Sequence, residues 1–229
     1  MSAIFLFLKK ILIAVAIVIT IGFTFSSVAY SNVLTNAHTV VLNKDFYYLV
    51  DTSTHTQAVT SFAQLQGGAG YVIADDAREY VAYSVYFTER DGTNAKHALE
   101  KYQTKTSLYT ASIDNLVFKT RKEKRQAPII LNAFSCLDGC MQVLNREITR
   151  LDNGATQQSS KRILYTLIKQ FTHLSREYQS SFPKYADVCE NAAVQLQLCI
   201  NDIVYVKDLR YLLCDLSVSY VQLTKDFAL

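Results

Sequence analysis

The stretch "LQGGAGYVIADDAREYVAYSVYF", residues 65–87, decides how the middle of this chain folds. It places three of the chain's seven glycines within four positions and then continues into apolar sequence rich in tyrosine. A dinucleotide-binding loop needs its glycines after a strand and at the start of a helix. Here the glycines follow a segment of helical character and precede two segments of strand-like composition, 71–74 and 79–87. We therefore interpret them as turn glycines that end a helix and begin a strand.

The same reasoning, applied outward from this stretch, predicts the neighbouring elements. "FYYLV" at 46–50 has the aromatic and β-branched composition of a strand, and a helix is expected to follow it. The polar "DDAR" between the two tyrosine-rich strands indicates a hairpin connection. Another helix is expected from about Thr93, and a last strand around 115–119. The predicted order over residues 45–120 is therefore βαββαβ.

The C-terminal part of the chain has a different periodicity. From residue 129 onward, apolar residues recur every three or four positions, which is typical of packed helices. Polar breaks at 152–160 and 180–184 divide the region into three helices, and short connections predict an antiparallel bundle. The last helix has one slip in its spacing, at 206–209. We expect it to run for roughly 65 Å, so that part of it projects or pairs with another chain.

The region between these two parts is the basic run "KTRKEKRQAP", 119–128, which we interpret as a solvated linker. A contact with a membrane surface or an anionic polymer is the alternative. The chain is thus expected to be α+β overall, with an N-terminal membrane segment at 1–33, an α+β domain at 45–120 and a helical bundle or coiled-coil region at 129–229.

The N-terminal segment has the length and composition of a transmembrane helix. Residues 11–33 carry no charge, and as a helix they would extend about 35 Å, enough for a hydrocarbon layer of about 30 Å. A cleaved signal peptide is the alternative, because Ser27 and Ala29 have cleavage-like spacing. In either case Lys9 and Lys10 predict a cytoplasmic N-terminus and an exported remainder. We expect a single-pass protein of the cell membrane.

Motifs for catalysis, metal binding and nucleic-acid binding are missing from the sequence. The four histidines, 38, 55, 97 and 173, fall in separate segments and outside any catalytic motif. The adjacent carboxylates Asp75 and Asp76 fit a hairpin turn. A net charge of +3 is too small to indicate a nucleic-acid partner. We therefore interpret the chain as non-enzymatic, with no cofactor and no metal.

Five cysteines, at 136, 140, 189, 199 and 214, all lie in helix-like sequence. We interpret them as small buried hydrophobic residues. One disulfide between helices is an alternative. Cys136 and Cys140, one helical turn apart, are also placed to flank a metal, but no histidine accompanies them in that helix.

Tyrosine is the informative residue type of this chain, which has fifteen tyrosines and no tryptophan. A four-stranded sheet with both helices on one face leaves the other face open, and tyrosines there suit binding to a polar polymer such as a glycan. Strand alternation then predicts that Val81, Tyr83 and Val85 face the helices. The predicted glycan-binding residues are Tyr48, Tyr80, Ser84 and Tyr86. The alternative is that the helical region covers this face.

The stretch "EYVAYSVYFTERDGTNAKHALEKY", 79–102, carries a resemblance to a known family. With the βαββαβ order, "FYYLV" and "GGAGYV", it resembles the sporulation-related repeat (SPOR) domain of membrane-anchored Firmicute proteins. In that family the pattern y-x-V-x-V-G-x-F precedes x-x-x-x-A-x-x-x-x-x-L. The family's glycine is replaced here, with Val85 or Tyr86 near its position. The resemblance covers residues 45–120.

The resemblance implies a ferredoxin-like module that binds peptidoglycan glycan strands in sporulation or cell division. The expected function is that of a non-enzymatic, membrane-anchored cell-envelope protein with such a module. The alternative is a structural or interaction protein that assembles through its C-terminal helices, with a protein partner or with itself, and binds no glycan.

Overall fold

The computed structural model describes residues 39–53, 56–75, 78–102, 104–118 and 121–227. The predicted membrane segment at 11–33 lies outside these residues, as do His38, His55 and Asp76. Within the described ranges the chain is α+β, with an antiparallel sheet of four strands and six helices. The elements are β1 (Thr39–Asp51), α1 (Gln57–Leu65), β2 (Tyr71–Asp75), β3 (Arg78–Tyr86), α2 (Glu89–Glu100), β4 (Thr106–Val117), α3 (Arg121–Asp152), α4 (Gln157–Tyr178), α5 (Pro183–Asn201) and α6 (Val206–Lys225).

The predicted order of strands and helices in the first half of the chain is confirmed, while several boundaries differ. β1 begins at Thr39 and β4 at Thr106, earlier than expected. α2 begins at Glu89 and not near Thr93, because the Thr88 side chain accepts a 3.2 Å hydrogen bond from the Asp91 amide and caps the helix.

The sheet has the strand order β2-β3-β1-β4, and all neighbouring strands are antiparallel. α1 and α2 pack on one face, where Leu49, Val81 and Tyr83 form a cluster with Ala63 of α1. Phe46, Tyr48 and Val50 of β1 point to the other face and join the core of the C-terminal helices. The prediction of an open second face is therefore wrong, because the helical region covers it.

A β-bulge in β3 changes which side chains face which layer. Leu49 pairs with Ser84, but the next residue, Val50, pairs with Ala82, so Tyr83 is an extra residue in β3. Beyond the bulge the alternation is inverted, and Val85 faces the C-terminal helices although Val81 and Tyr83 face α1 and α2. The predicted orientation is right for Val81 and Tyr83 and wrong for Val85.

The glycine-rich turn has the role that the sequence predicts. Gly67 and Gly70 adopt positive φ angles of 79° and 63° between the end of α1 and the start of β2. Gly68 is required for a different reason, since a Cβ atom there would lie 2.6 Å from a ring carbon of Tyr83. These glycines let α1 approach β3 closely, and the Ala69 amide donates a 2.7 Å hydrogen bond to the Tyr83 carbonyl.

The C-terminal region contains four helices where the sequence predicts three. The prediction of one long last helix is wrong, because α5 ends at Asn201 and α6 begins at Val206. The Gln157 side chain satisfies the backbone at this break, donating to the Val204 carbonyl at 3.1 Å and accepting from the Val204 amide at 2.9 Å. The prediction of a solvated linker at 119–128 is also wrong, because α3 begins at Arg121 and includes most of that segment.

The sheet and the helices share one hydrophobic core. The predicted stripe of α3 lies within it, with Phe134, Leu137 and Met141 fully buried. In the part of the chain that the structure describes, one helical segment, Arg125–Asp152, is long and apolar enough to cross a membrane, but half of its apolar window is buried inside the protein. We interpret it as a core helix.

Candidate functional site

Two of the four predicted glycan-binding residues lie on the sheet face that the C-terminal helices cover. Tyr48 is 1% exposed, and its hydroxyl donates a 2.9 Å hydrogen bond to Ser217 of α6. Tyr80 is half-buried and stacks on Tyr109, with 5.3 Å between the ring centroids. The core therefore occupies the face on which these tyrosines were expected to meet a polymer.

The other two predicted residues, Ser84 and Tyr86, lie on the opposite face because of the bulge in β3. They line a cavity of about 190 Å³ between the sheet and helices α1 and α2. The four predicted residues therefore do not form one surface. The structure brings Ser84 and Tyr86 together with each other and with Arg210 of α6.

The polar groups at this cavity are already engaged within the protein. Burial raises the pKa of Tyr86, while Arg210 and a hydrogen bond with Ser84 oppose that rise. The Arg210 guanidinium donates to the Gly67 carbonyl and, at 2.7 Å, to the Asp152 carboxylate. The described residues that line the cavity include no histidine, cysteine or carboxylate. The cavity therefore offers no pairing of a nucleophile with a base.

The remaining titratable candidates are held in helices. His97 and His173 are exposed and pair with Glu100 and Glu177 on their own helices. All five cysteines are free thiols, and Cys140, Cys189 and Cys214 are buried. Burial raises the pKa of Cys189 to about 12, so its thiol stays protonated and is a poor nucleophile. Among the described residues no group of three or more His, Cys, Asp or Glu side chains is placed to hold a metal ion.

A second surface stands out at the connection between α5 and α6. Leu198, Ile203, Tyr205 and Tyr211 are exposed here, with Leu198 67% and Ile203 53% exposed. They line a groove of about 380 Å³. On the other side of the last turn of α5, a groove of about 540 Å³ contains Tyr165, which is 50% exposed. We call these two grooves and the turn between them the α5–α6 surface.

Exposed apolar side chains are concentrated on this surface. Eleven large hydrophobic residues are exposed in the described part of the chain, and the five just named line the two grooves. Single exposed hydrophobic residues are ordinary, but an apolar patch with a polar rim is typical of an interaction site.

The α5–α6 surface lies at one end of the molecule, and residue 39 lies at the other. Arg210 joins the start of α6 to the end of α3, and Gln157 joins the start of α4 to Val204, just before α6. At the far end of α6, the Phe227 carbonyl accepts a 2.7 Å hydrogen bond from Val117, which pairs with Thr39. The twenty residues of α6 separate the two ends by about 30 Å of helical rise.

Sequence reasoning missed this surface, although a signal for it was present. The slip in the apolar spacing at 206–209 lies in the first turn of α6, directly after the join at 202–205. Ile203, Val204, Tyr205 and Val206 form an uninterrupted apolar run beside it, which a helix stripe with three-and-four spacing does not contain. Comparison with protein-family models, with curated proteins and with solved structures found no match to this chain.

Proposed function

We propose that this protein is a non-enzymatic interaction protein, anchored in the cell membrane through residues 11–33, which binds another protein through the α5–α6 surface. The concentration of exposed apolar and aromatic side chains on that surface carries the proposal. Tyrosine suits such a role because it offers a large apolar body with a polar tip and loses little conformational entropy on binding.

The position of the surface supports the same function. A segment that leads from the membrane into Thr39 would hold that end of the folded region nearest the bilayer. The α5–α6 surface, about 30 Å away along α6, would then lie clear of the bilayer and be accessible to a partner.

Membrane topology is the first part of the proposal to test. A reporter fused after Leu229 of the full chain should be active outside the cytoplasm, because Lys9 and Lys10 precede the apolar segment. Replacing both lysines with glutamate should reduce that activity. A reporter active only in the cytoplasm contradicts the proposed orientation.

The interaction itself can be tested by placing a photo-crosslinking amino acid at single positions of the full chain in cells. Position 203 should give a protein adduct on irradiation. Position 129 is the matched control, because Ile129 is also exposed but lies near the start of α3, far from the surface. Equal crosslinking at the two positions, or none at 203, contradicts the proposed site.

Glycan binding by a SPOR-like module is the second candidate function. The βαββαβ order and the strand order β2-β3-β1-β4 favour it, since a ferredoxin-like module has this arrangement. Sedimentation of the purified full chain with cell-wall sacculi separates the two candidates. Under our proposal the chain stays in the supernatant. Saturable binding to sacculi that survives Ile203→Asp favours the glycan-binding function instead.

A further inference from the structure

The charges around the α5–α6 surface are separated by sign. Asp202 and Asp208 line the groove that contains Leu198 and Ile203. The groove on the other side of the last turn of α5 contains Lys161 and Arg162 and no acidic residue. The apolar turn lies between the two rims.

These charged groups are available to a partner. In the described part of the chain, no ion pair or side-chain hydrogen bond involves the charged ends of Lys161, Arg162, Asp202 or Asp208. Lys207 also lines the acidic groove, but its ammonium group lies 5.8 Å from the Tyr205 ring centroid and is held over that ring. The first groove is therefore net acidic and the second is basic.

A surface with an apolar centre and opposite charges on its two sides is complementary to itself. In a dimer with two-fold symmetry, both copies use the same surface patch. If residue i of the first copy contacts residue j of the second, then residue j of the first also contacts residue i of the second. A two-fold axis through the turn between α5 and α6 would place the Lys161 side of one copy against the Asp208 side of the other, twice. It would also bury the exposed leucine, isoleucine and tyrosine side chains against each other.

We propose that the partner of the α5–α6 surface is a second copy of this chain. This inference rests on the proposed function and names the partner of the same site. An anionic membrane surface fits less well, because a membrane-binding patch carries basic residues around its apolar centre and the acidic groove would be repelled. A neutral glycan fits less well because it carries no charges that could pair with the two rims.

Charge reversal tests the two-fold arrangement with the purified full chain in detergent micelles, by sedimentation velocity over a range of protein concentrations. The parent should dimerise. The variant Lys161→Glu with Arg162→Glu makes both rims acidic, and Asp202→Lys with Asp208→Lys makes both basic. Each variant alone should raise the dimer dissociation constant about tenfold or more, because like charges then meet.

A mixture of the two charge-reversed variants should dimerise again, since every contact between unlike copies becomes attractive. Rescue on mixing is the expected result that a merely destabilised fold cannot produce. Ile203→Asp should weaken the parent dimer, and Ile129→Asp should leave it unchanged. A parent that stays monomeric at every concentration overturns the proposal, and so does a dimer that is insensitive to both charge reversals.

A second measurement needs no variant. Chains labelled with ¹⁵N and unlabelled chains are mixed and treated with a zero-length carbodiimide, which joins a lysine to a carboxylate in direct contact. A crosslink from Lys161 to Asp202 or Asp208 that contains one labelled and one unlabelled peptide should appear. Its absence from a dimeric sample places the interface elsewhere and overturns the inference. If position 203 still crosslinks to a different protein, the proposed function stands and only the second-copy partner fails.

Discussion

The hydroxyl of Tyr48 on β1 donates a 2.9 Å hydrogen bond to the hydroxyl of Ser217 on α6, 169 residues further along the chain. Ser217 in turn donates to the Cys214 carbonyl at 2.8 Å. The bond joins the sheet to the last helix inside the core. A tyrosine that the sequence offers as a ligand contact is therefore a structural residue.

Variants of this pair should show an asymmetric loss of stability. Tyr48→Phe leaves Ser217 bonded to the Cys214 carbonyl, so it should cost about 1 kcal/mol. Ser217→Ala leaves a buried tyrosine hydroxyl without its acceptor and should cost more, about 1–3 kcal/mol. The double variant should cost less than the sum, as measured by urea denaturation. Tyr102→Phe, at a residue 73% exposed, is the control and should be near neutral. Additive costs would contradict the pairing.

A charge placed in the core of the helical region should unfold it. Leu213 is fully buried on α6, so Leu213→Asp places a carboxylate inside the hydrophobic core and should cost several kcal/mol. Leu65→Asp makes the same substitution at a residue that is 84% exposed and should have little effect. Thermal denaturation followed by circular dichroism compares the two. Equal melting temperatures would mean that the stripe containing Leu213 is not core.

Two glycine substitutions should change the stability of the fold in opposite directions. Gly68→Ala would place a Cβ atom 2.6 Å from the Tyr83 ring and 3.1 Å from the Tyr83 Cα atom, so α1 or β3 must shift and stability should fall by about 1–3 kcal/mol. Gly139→Ala lies in α3, where the added Cβ meets no atom within 4 Å beyond its chain neighbours and its own helix backbone, and it should stabilise the helix by about 0.5–1 kcal/mol. Chemical denaturation measures both. A neutral Gly68→Ala would contradict the close packing of α1 on the sheet.

Alkaline pH should destabilise the fold. Burial, together with the nearby Asp51 carboxylate, raises the pKa of Tyr83 from 10.0 to about 12. Between these values the unfolded chain loses the tyrosine proton and the folded chain keeps it, so the unfolded state binds fewer protons and stability falls as pH rises. The contribution is complete below pH 10 and is lost as pH rises toward 12.

Tyr83→Phe removes this titration, so the variant should lose less stability than the parent over the same pH range. Urea midpoints at several alkaline pH values measure the difference. Other buried tyrosines should still make the variant less stable as pH rises. Tyr178 is one of them, because burial raises its pKa to about 12. Parallel pH curves for parent and variant would contradict the role of Tyr83.

Element order in the first half of the chain was predictable because it depends on local chemistry. Glycines between a helical and a strand-like segment favour a turn, and Gly67 and Gly70 do adopt positive φ angles. The stripe through Phe134 and Met141 is confirmed as core because three-and-four spacing places those side chains on one helix face.

The sequence did not predict toward which face of the sheet each tyrosine points. Alternation along a strand identifies the buried face only where polar and apolar residues take turns. Residues 81–85 read Val-Ala-Tyr-Ser-Val, and each fits either a sheet core or a helix contact. Tyrosine itself is compatible with a binding surface and with a core that supplies an acceptor such as Ser217. The break at 202–205 was missed because it contains neither glycine nor proline, and a distant glutamine satisfies its backbone.

The extra residue in β3 separates two parts of the strand whose side-chain alternation is shifted by one residue relative to each other. Deleting the extra residue, Tyr83, would restore regular alternation and leave Ser84 and Tyr86 on the face that α1 and α2 cover. A single-codon deletion could thus shorten β3 without moving any remaining side chain from one layer of the protein to the other. Descendants of this sequence can accordingly lose one residue of β3 while the residues on either side of the gap keep their places in the two layers.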